Sequence, residues 1–551
     1  MDNYQNNQEL GNQNADTGGG VSTGGPAYSY PAAPAPTPAR IYRTHETVFA
    51  WLAFLIGYIF CTVTPPADAP LGAMLFLIAI YAAGVVFMVM SHVTLTLRSV
   101  FWLIAGILPA AGLFLSSDTF TGTLAFVWSL GCFILWVDLA AGGGLEEYAR
   151  ELFFFDTIKA FLVMPFASLG SVFSASFSRG ERRRAGDAAD GTATSGGRTF
   201  IYILLGIGLA IIPTVVVIGL LLYDNSFSDH LNAVIDFFGG DILNVIQRLI
   251  FAIPIAAYGF GALISAVDKK GERMMSADSC RRFAAGVRFA PVAMVCAAII
   301  PLLAVYLLFF ISQWDYYLAA FGGRLPTGVD IYAFYARDGF FELCGVCAIN
   351  AAVMAVANIF TKRRLPDRQS PAVRLVFAAL SVSTIILIAT AFSKLALYIG
   401  QYGLTRLRIY AAWFIAVLFA AFLIMLIKQI CPRTNATLCM IVAIALLFTC
   451  LTLVNIDGLI AGYNVSGYLD GKLTQLDTGV IANCGDSATP WIIRLRDELD
   501  TDTEKNAAIH RWALDQLSRC EQALNGTRVS IFEMTLPRIL ADSALRAGAG
   551  E

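Results

Sequence analysis

Apolar runs as long as a membrane-crossing helix recur along most of this chain. One helical crossing of a bilayer needs about 20 consecutive apolar residues. The pattern predicts eleven spans, over Thr47–Val63, Leu71–Met90, Ser99–Ser116, Thr121–Ala140, Thr199–Leu222, Ile242–Ala266, Ala285–Ile311, Phe341–Phe360, Ala372–Phe392, Ala411–Ile430 and Thr437–Val454. The predicted fold class is therefore all-α: a polytopic helical membrane bundle with a small helical C-terminal soluble domain.

The segments outside the spans divide the chain into five regions. Residues 1–40 are rich in Asn, Gln, Gly, Ala and Pro, a composition that predicts a disordered tail. Residues 41–145 hold four spans and residues 199–456 hold seven. Residues 457–551 repeat apolar positions at helical spacing, which predicts an external helical domain.

Residues 146–198 join the two groups of spans. Phe153–Phe177 mixes charged and apolar residues and predicts a helix that lies in the cytoplasmic interface and ends near Pro165. A flexible basic linker follows it. The alternative, in which Phe153–Phe177 crosses the membrane and inverts every later loop, stays open.

The composition agrees with a membrane protein and the placement of its charges predicts its orientation. The chain is 57% hydrophobic and 14% charged, whereas about a quarter of the residues of a soluble domain carry charge. Lysine and arginine cluster in alternate loops, which marks these loops as cytoplasmic. We therefore expect a multi-pass protein of the bacterial cell membrane, with a cytoplasmic N-terminus and residues 457–551 outside.

Few residues suggest metal, cofactor or nucleophile chemistry. The four histidines are scattered, and the chain contains no nucleotide-binding, zinc-protease or serine-hydrolase motif. Cys344 and Cys347 form a CxxC pair inside an apolar run, where small-residue packing explains them. We expect no cofactor, no metal, no catalytic residue and no nucleic-acid partner; the bilayer and an envelope or membrane protein are the expected partners.

A polar cluster near the outer leaflet is the strongest candidate site. Its predicted members lie at the ends of the last four spans: Tyr335, Arg337, Asp338, Glu342, Lys394, Tyr398, Tyr402, Arg406, Arg408 and Asp457. Charges at this depth are costly unless they are paired or hydrated. One interpretation is a set of ion pairs, such as Glu342 with Lys394 or Arg337 with Asp457. The other is an outward-facing site for a ligand or a lipid headgroup.

The stretch SKLALYIGQYGLTRLRIY, from Ser393 to Tyr410, joins the ninth and tenth apolar runs. Lys394, Tyr398 and Tyr402 are four residues apart and would share one helix face, and Gly403 would end that helix.

This stretch also resembles the signature of a family of bacterial polytopic membrane proteins known only as a domain of unknown function, the DUF4153/DUF4173 group. IYAFYARDGFFEL at Ile331–Leu343 and NIDGLIAGYN at Asn455–Asn464 resemble the same family, although Ile456 stands where its pattern has proline. The similarity runs from about Thr199 to about Arg496. It implies kinship and architecture but no activity.

Three functions remain in order of preference. The first is a non-enzymatic role in binding, sensing or envelope assembly through the outward polar cluster. The second is secondary transport of a small anion, with Arg337, Lys394, Arg406 and Arg408 supplying charge. The third is a membrane-embedded transferase, for which Asp338 or Glu342 would be the candidate carboxylates.

Two cysteines lie in the predicted external domain, Cys484 and Cys520. Thiols outside the cytoplasm can oxidise, so we predict a disulfide between them.

Overall fold

The computed structural model describes residues 40–177, 240–312, 340–362, 369–526 and 530–548, together with the single positions 206, 217, 220, 221 and 314. Within these residues every regular element is helical. Their one β-type contact is an isolated parallel bridge between Ala290 and Thr361. The predicted all-α fold class is confirmed.

Ten helices of the described residues are long and apolar enough to cross a bilayer. They are α1 (Thr44–Thr62), α2 (Pro70–Met90), α3 (Leu97–Ala110, continued by Gly112–Leu115), α4 (Thr119–Ala140), α5 (Gly240–Val267), α6 (Val292–Ser312), α7 (Phe340–Phe360), α8 (Pro371–Tyr402), α9 (Arg406–Ile430) and α10 (Ala436–Leu453). They match ten predicted spans. The basic linker, the predicted tail up to residue 39 and all but four positions of the span Thr199–Leu222 lie outside the described residues.

Local chemistry sets the ends of several spans. The Asp118 side chain accepts a hydrogen bond from the Thr121 backbone and caps α4. Pro291 lies between the helix Ala277–Val287 and α6, so the predicted span Ala285–Ile311 begins later than expected. Helix α8 continues beyond the apolar span, which was predicted to end at Phe392, as far as Tyr402, and Gly403 ends it as predicted.

The spans alternate in direction, so their connections gather at two ends of the bundle. One end carries the loop before α4, the turn between α8 and α9, and the residues after α10. We call this end the C-terminal face, because the chain after Asn455 packs there. The other end, the opposite face, carries the Ala290–Thr361 bridge and the turn from α9 to α10.

The C-terminal helices share a core with the spans below them. They are α11 (Ile456–Leu469), α12 (Thr489–Glu498), α13 (Glu504–Gly526) and α14 (Leu536–Gly548), with short turns at Thr478–Ala482, Gly485–Ala488 and Ile531–Glu533. Ile456, Ile460 and Ile492 are fully buried, and Leu404 and Trp413 of the α8–α9 region pack against them. The predicted helices after residue 457 therefore rest directly on the spans.

Residues 153–176 differ from the predicted interfacial helix. They form short helices over Phe153–Ile158, Met164–Ala167 and Ser171–Ser176, with a π-helix at Lys159–Val163. One side of the segment packs against α1 and α5, and the Tyr258 hydroxyl of α5 donates to the Phe161 carbonyl at 2.9 Å. The other side is exposed at Phe154, Leu162 and Phe166. Short helices Lys270–Met274 and Ala277–Val287 lie beside it on the opposite face.

Candidate functional site

Arg406 is the centre of the polar cluster at the C-terminal face. Its Nε and Nη2 atoms donate to the two carboxylate oxygens of Asp457 at 2.7 and 2.9 Å. The same Nη2 donates to the Asn483 carbonyl at 2.8 Å, and Nε lies 3.6 Å from Asp118 Oδ1. Arg406 thus joins the start of α9 to the loop before α4, to α11 and to the turn before α12. We call Arg406, Asp118 and Asp457 the arginine clamp.

The two carboxylates of the clamp are buried. The Asp457 side chain is 0% exposed and that of Asp118 is 3% exposed, whereas Arg406 keeps 40% of its side chain exposed. A paired, two-point guanidinium–carboxylate contact is the arrangement that best offsets such burial. Burial raises the pKa of the Asp457 carboxyl above its usual range, while Arg406 opposes that rise.

Asp118 is also held by neutral groups. Its Oδ2 accepts from the Thr121 backbone at 2.9 Å and from the Thr121 hydroxyl at 2.6 Å. The Tyr410 hydroxyl donates to the same oxygen at 2.5 Å. Asp118 and Tyr410 were not among the predicted site residues. Nothing in the sequence indicated that Asp118 would contact Arg406 or Tyr410.

The turn between α8 and α9 is locked to α11. The Asn464 side chain accepts from the Leu404 backbone N–H at 2.7 Å and donates to the Leu404 carbonyl at 2.9 Å. Gly403 has φ +76, and a Cβ atom there would lie 2.3 Å from Asn464 Oδ1. Glycine is required at this position for both its backbone conformation and its lack of a side chain.

Arg408 is turned back onto the end of α8. It donates to the Tyr402 carbonyl at 3.0 Å and to the Gly403 carbonyl. Its guanidinium lies 4.1 Å from the centre of the Tyr398 ring, and the Tyr398 and Tyr402 rings are 5.2 Å apart. These two tyrosines share the predicted helix face, and Arg408 covers the end of their helix.

Two further predicted site residues, Glu342 and Lys394, lie in the part of the chain that the structure describes. Glu342 is exposed in the first turn of α7 and makes no ion pair with another described residue. The suggested pair of Glu342 with Lys394 is therefore not formed; Lys394 is half-buried on α8. Tyr335, Arg337 and Asp338 lie outside the described residues, and Asp457 has Arg406 as its cation.

Cys484 and Cys520, the two cysteines of the predicted disulfide, are both free thiols in the structure. Cys484 is buried, and its thiol donates to the Val480 carbonyl at 3.2 Å. Burial raises its pKa to about 12. Cys520 is half-buried on α13, near the side chains of Thr489 and Gln516. The Cys484 thiol is thus directed to a backbone carbonyl of its own turn, which sequence spacing did not reveal.

An open cavity of about 190 Å³ lies beside the clamp. The loops before α2 and α4 form one side of it and the chain around Glu533 forms the other. Its charged lining residues are Asp118, Asp486, Glu533 and Arg538. Ser116 and Thr119 add polar groups. We call this cavity the acidic crevice, since its carboxylates outnumber its one guanidinium.

A family model described as a domain of unknown function (DUF4153) matches residues 77–495. The chain belongs to this family. The match starts inside α2, so the DUF4153 region is longer than the predicted stretch from Thr199. No curated protein matches the chain, and no solved structure does.

Two of the three motifs noted in the sequence meet at the clamp, and the third, at Ile331–Leu343, lies mostly outside the described residues. The turn at Gly403 and the helix at Asn464 hold each other through the Leu404 backbone, and Arg406 and Asp457 come from the same two motifs. Ile456, which replaces the expected proline, occupies the first position of α11. Proline is favoured at that position in helices, and isoleucine fills it here as a fully buried core residue.

Proposed function

We propose that this membrane protein is a non-enzymatic binding protein whose acidic crevice takes up a small cationic group at the outer side of the membrane. The proposal rests on the negative charge of the crevice. Asp486 and Glu533 line it, and neither is in an ion pair with another described residue. Their charges are therefore available to an incoming cation.

The size and charge of the crevice define the ligand class. Pockets for drug-sized molecules usually enclose about 300–1,000 Å³, and this one encloses about 190 Å³. A primary amine or a short diamine suits that volume. The excess of carboxylates makes an anionic ligand unfavourable there.

The arginine clamp supports a binding role over transport of an anion. Arg406 and Arg408, which such a transporter would use, are both directed to acceptors of the protein itself. Asp118 belongs to both the clamp and the crevice lining. The clamp thereby holds the two walls of the crevice together. The spans form one wall and the C-terminal helices form the other.

The charge of the two faces supports an outward position for the crevice. The ends of the described spans at the opposite face carry basic residues, namely Arg98, Lys270, Arg288, Arg374 and Lys428. Basic residues at one end of a bundle favour the cytoplasmic side. Residues 456–548 would then lie outside.

Thermal unfolding of the purified full-length protein in detergent tests this proposal. Putrescine serves as the cationic probe and inorganic phosphate as the anionic one. We expect putrescine to raise the unfolding temperature of the wild type and phosphate to leave it unchanged. The Asp486→Asn/Glu533→Gln double variant should lose the putrescine effect, and Glu521→Gln, a change at an exposed glutamate of α13, should keep it.

Two results would overturn the proposal. An equal putrescine shift in the double variant would place the binding elsewhere. Stabilisation by phosphate instead of putrescine would favour the anion-transport hypothesis.

A further inference from the structure

Three charged side chains meet in the interior of the protein at the opposite face. Asp138 lies near the end of α4, and Asp156 and Lys159 lie in the segment that follows it; they are 2%, 4% and 0% exposed. Lys159 Nζ is 3.1 Å from Asp138 Oδ2 and 3.0 Å from Asp156 Oδ1. It also donates to the Gly143 carbonyl. The mixed sequence of this segment did not indicate that Lys159 is fully buried.

This cluster carries an excess negative charge. It has two carboxylates and one ammonium, and Glu272 of Lys270–Met274 adds a further repulsion on Asp138. The Cys280 thiol, from Ala277–Val287, also faces Asp156 and Lys159. Carboxylates that share a buried site cannot all stay ionised at little cost, and a proton is the simplest compensating charge.

The two carboxylates differ in how well they are satisfied. Asp156 Oδ1 accepts from Lys159 and also from the Leu145 backbone N–H at 2.9 Å. Among the described residues, Asp138 Oδ2 has only the Lys159 ammonium close to it, at 3.1 Å; this ammonium is shared with Asp156 and the Gly143 carbonyl, and the contact is poorly aligned for a hydrogen bond. An acceptor this deeply buried is costly to leave without a partner. Asp138 is thus the carboxylate that gains most from holding a proton.

We propose that Asp138, Asp156 and Lys159 form a proton-binding site, with Asp138 as the residue that is protonated. The step takes one proton from water at the opposite face and forms one O–H bond on the Asp138 carboxylate. The ammonium of Lys159 keeps its own protons. The three side chains then have no net charge.

The surrounding backbone is shaped for this contact. A Cβ atom on Gly143 would lie 2.0 Å from Asp138 Oδ1, so only glycine allows the chain to pass the carboxylate so closely. Lys159 begins a π-helix, a distortion that occurs often at functional sites. The site is also independent of the acidic crevice, because Asp138 and Asp118 lie at opposite ends of α4, about 30 Å apart for a helix of this length.

Infrared difference spectroscopy of the full-length protein in liposomes tests the site. The pH is lowered from about 8 to about 5, a range in which exposed carboxylates stay largely ionised. We expect a band of a protonated carboxyl group to appear in the wild type and to be absent from Asp138→Asn. Asp278→Asn, at an exposed aspartate on the same face, should keep the band.

Two further variants keep the proposal testable if Asp138→Asn is poorly folded. Lys159→Gln removes the cation, so the band should already be present at higher pH. Asp156→Asn removes the excess charge, so the onset of the band should move to lower pH. A band that survives Asp138→Asn would overturn the assignment. The absence of a titrating band in the wild type, or an unchanged onset in both further variants, would overturn the site itself.

Discussion

At the scale of single residues, Arg406 has the largest predicted effect on stability. Arg406→Gln leaves Asp118 and Asp457 buried without their common cation, which we expect to cost about 2–3 kcal/mol of unfolding free energy. The value is below that of a fully buried pair because 40% of the Arg406 side chain is exposed. Chemical unfolding in detergent measures it.

The partner substitution provides the control. Adding Asp457→Asn to Arg406→Gln should recover much of the loss, because one of the stranded carboxylates is removed. Equal stability of Arg406→Gln and the wild type, or no recovery in the double variant, would show that the clamp does not hold the C-terminal helices.

Asp457 also predicts a pH dependence. Since burial raises its folded-state pKa above the unfolded value, its stabilising contribution is complete below the unfolded pKa of about 3.9. That contribution is lost as the pH rises through the folded-state value. Asp457→Asn should therefore flatten the change of unfolding temperature from about pH 4 towards neutrality. An unchanged slope in the variant would contradict the raised pKa.

The cysteines test the environment of the C-terminal helices. Cys431 is exposed and should react first with an alkylating reagent at neutral pH. Cys484 should react slowly, because it is buried and its pKa is about 12. Peptide mapping without reduction should find no bridge between Cys484 and Cys520. A bridged peptide would restore the predicted disulfide and contradict the free thiols.

At the scale of helices, the turn between α8 and α9 is the most constrained element. Gly403→Ala should cost about 1–3 kcal/mol, because the backbone conformation there is one that essentially only glycine adopts. A methyl group would also meet Asn464 Oδ1. Gly400→Ala is the matched control: a Cβ there meets open space within a helix, so its stability should be equal or higher. If both changes had similar effects on the unfolding free energy, the turn would not be constrained by Gly403 and its contact with Asn464.

The helices could be predicted from the sequence better than the contacts between them. The spans follow from apolar length, and the end of α8 follows from Gly403. The pairing of Arg406 with Asp457 joins residues 51 positions apart, and no periodicity carries that information. The burial of Lys159 could not be predicted for the same reason, because its partner Asp138 belongs to another helix.

At the scale of the whole molecule, the proposed function depends on the side of the membrane at which each face of the bundle lies. The family match establishes kinship from residue 77 to residue 495, and the ten apolar helices of the described residues indicate a multi-pass membrane protein. A cationic ligand from the cell exterior can reach the acidic crevice only if the C-terminal face lies outside. The proton-binding site at Asp138 would then open towards the cytoplasm.

Cysteine labelling in intact cells tests this arrangement most directly. Asp470→Cys places an exposed thiol just after α11 on the C-terminal face, and Ser276→Cys places one on the opposite face. With an impermeant maleimide and peptide mapping, position 470 should be labelled in intact cells and position 276 only after permeabilisation. Labelling of position 276 in intact cells, with position 470 protected until permeabilisation, would invert the protein and contradict the proposed function.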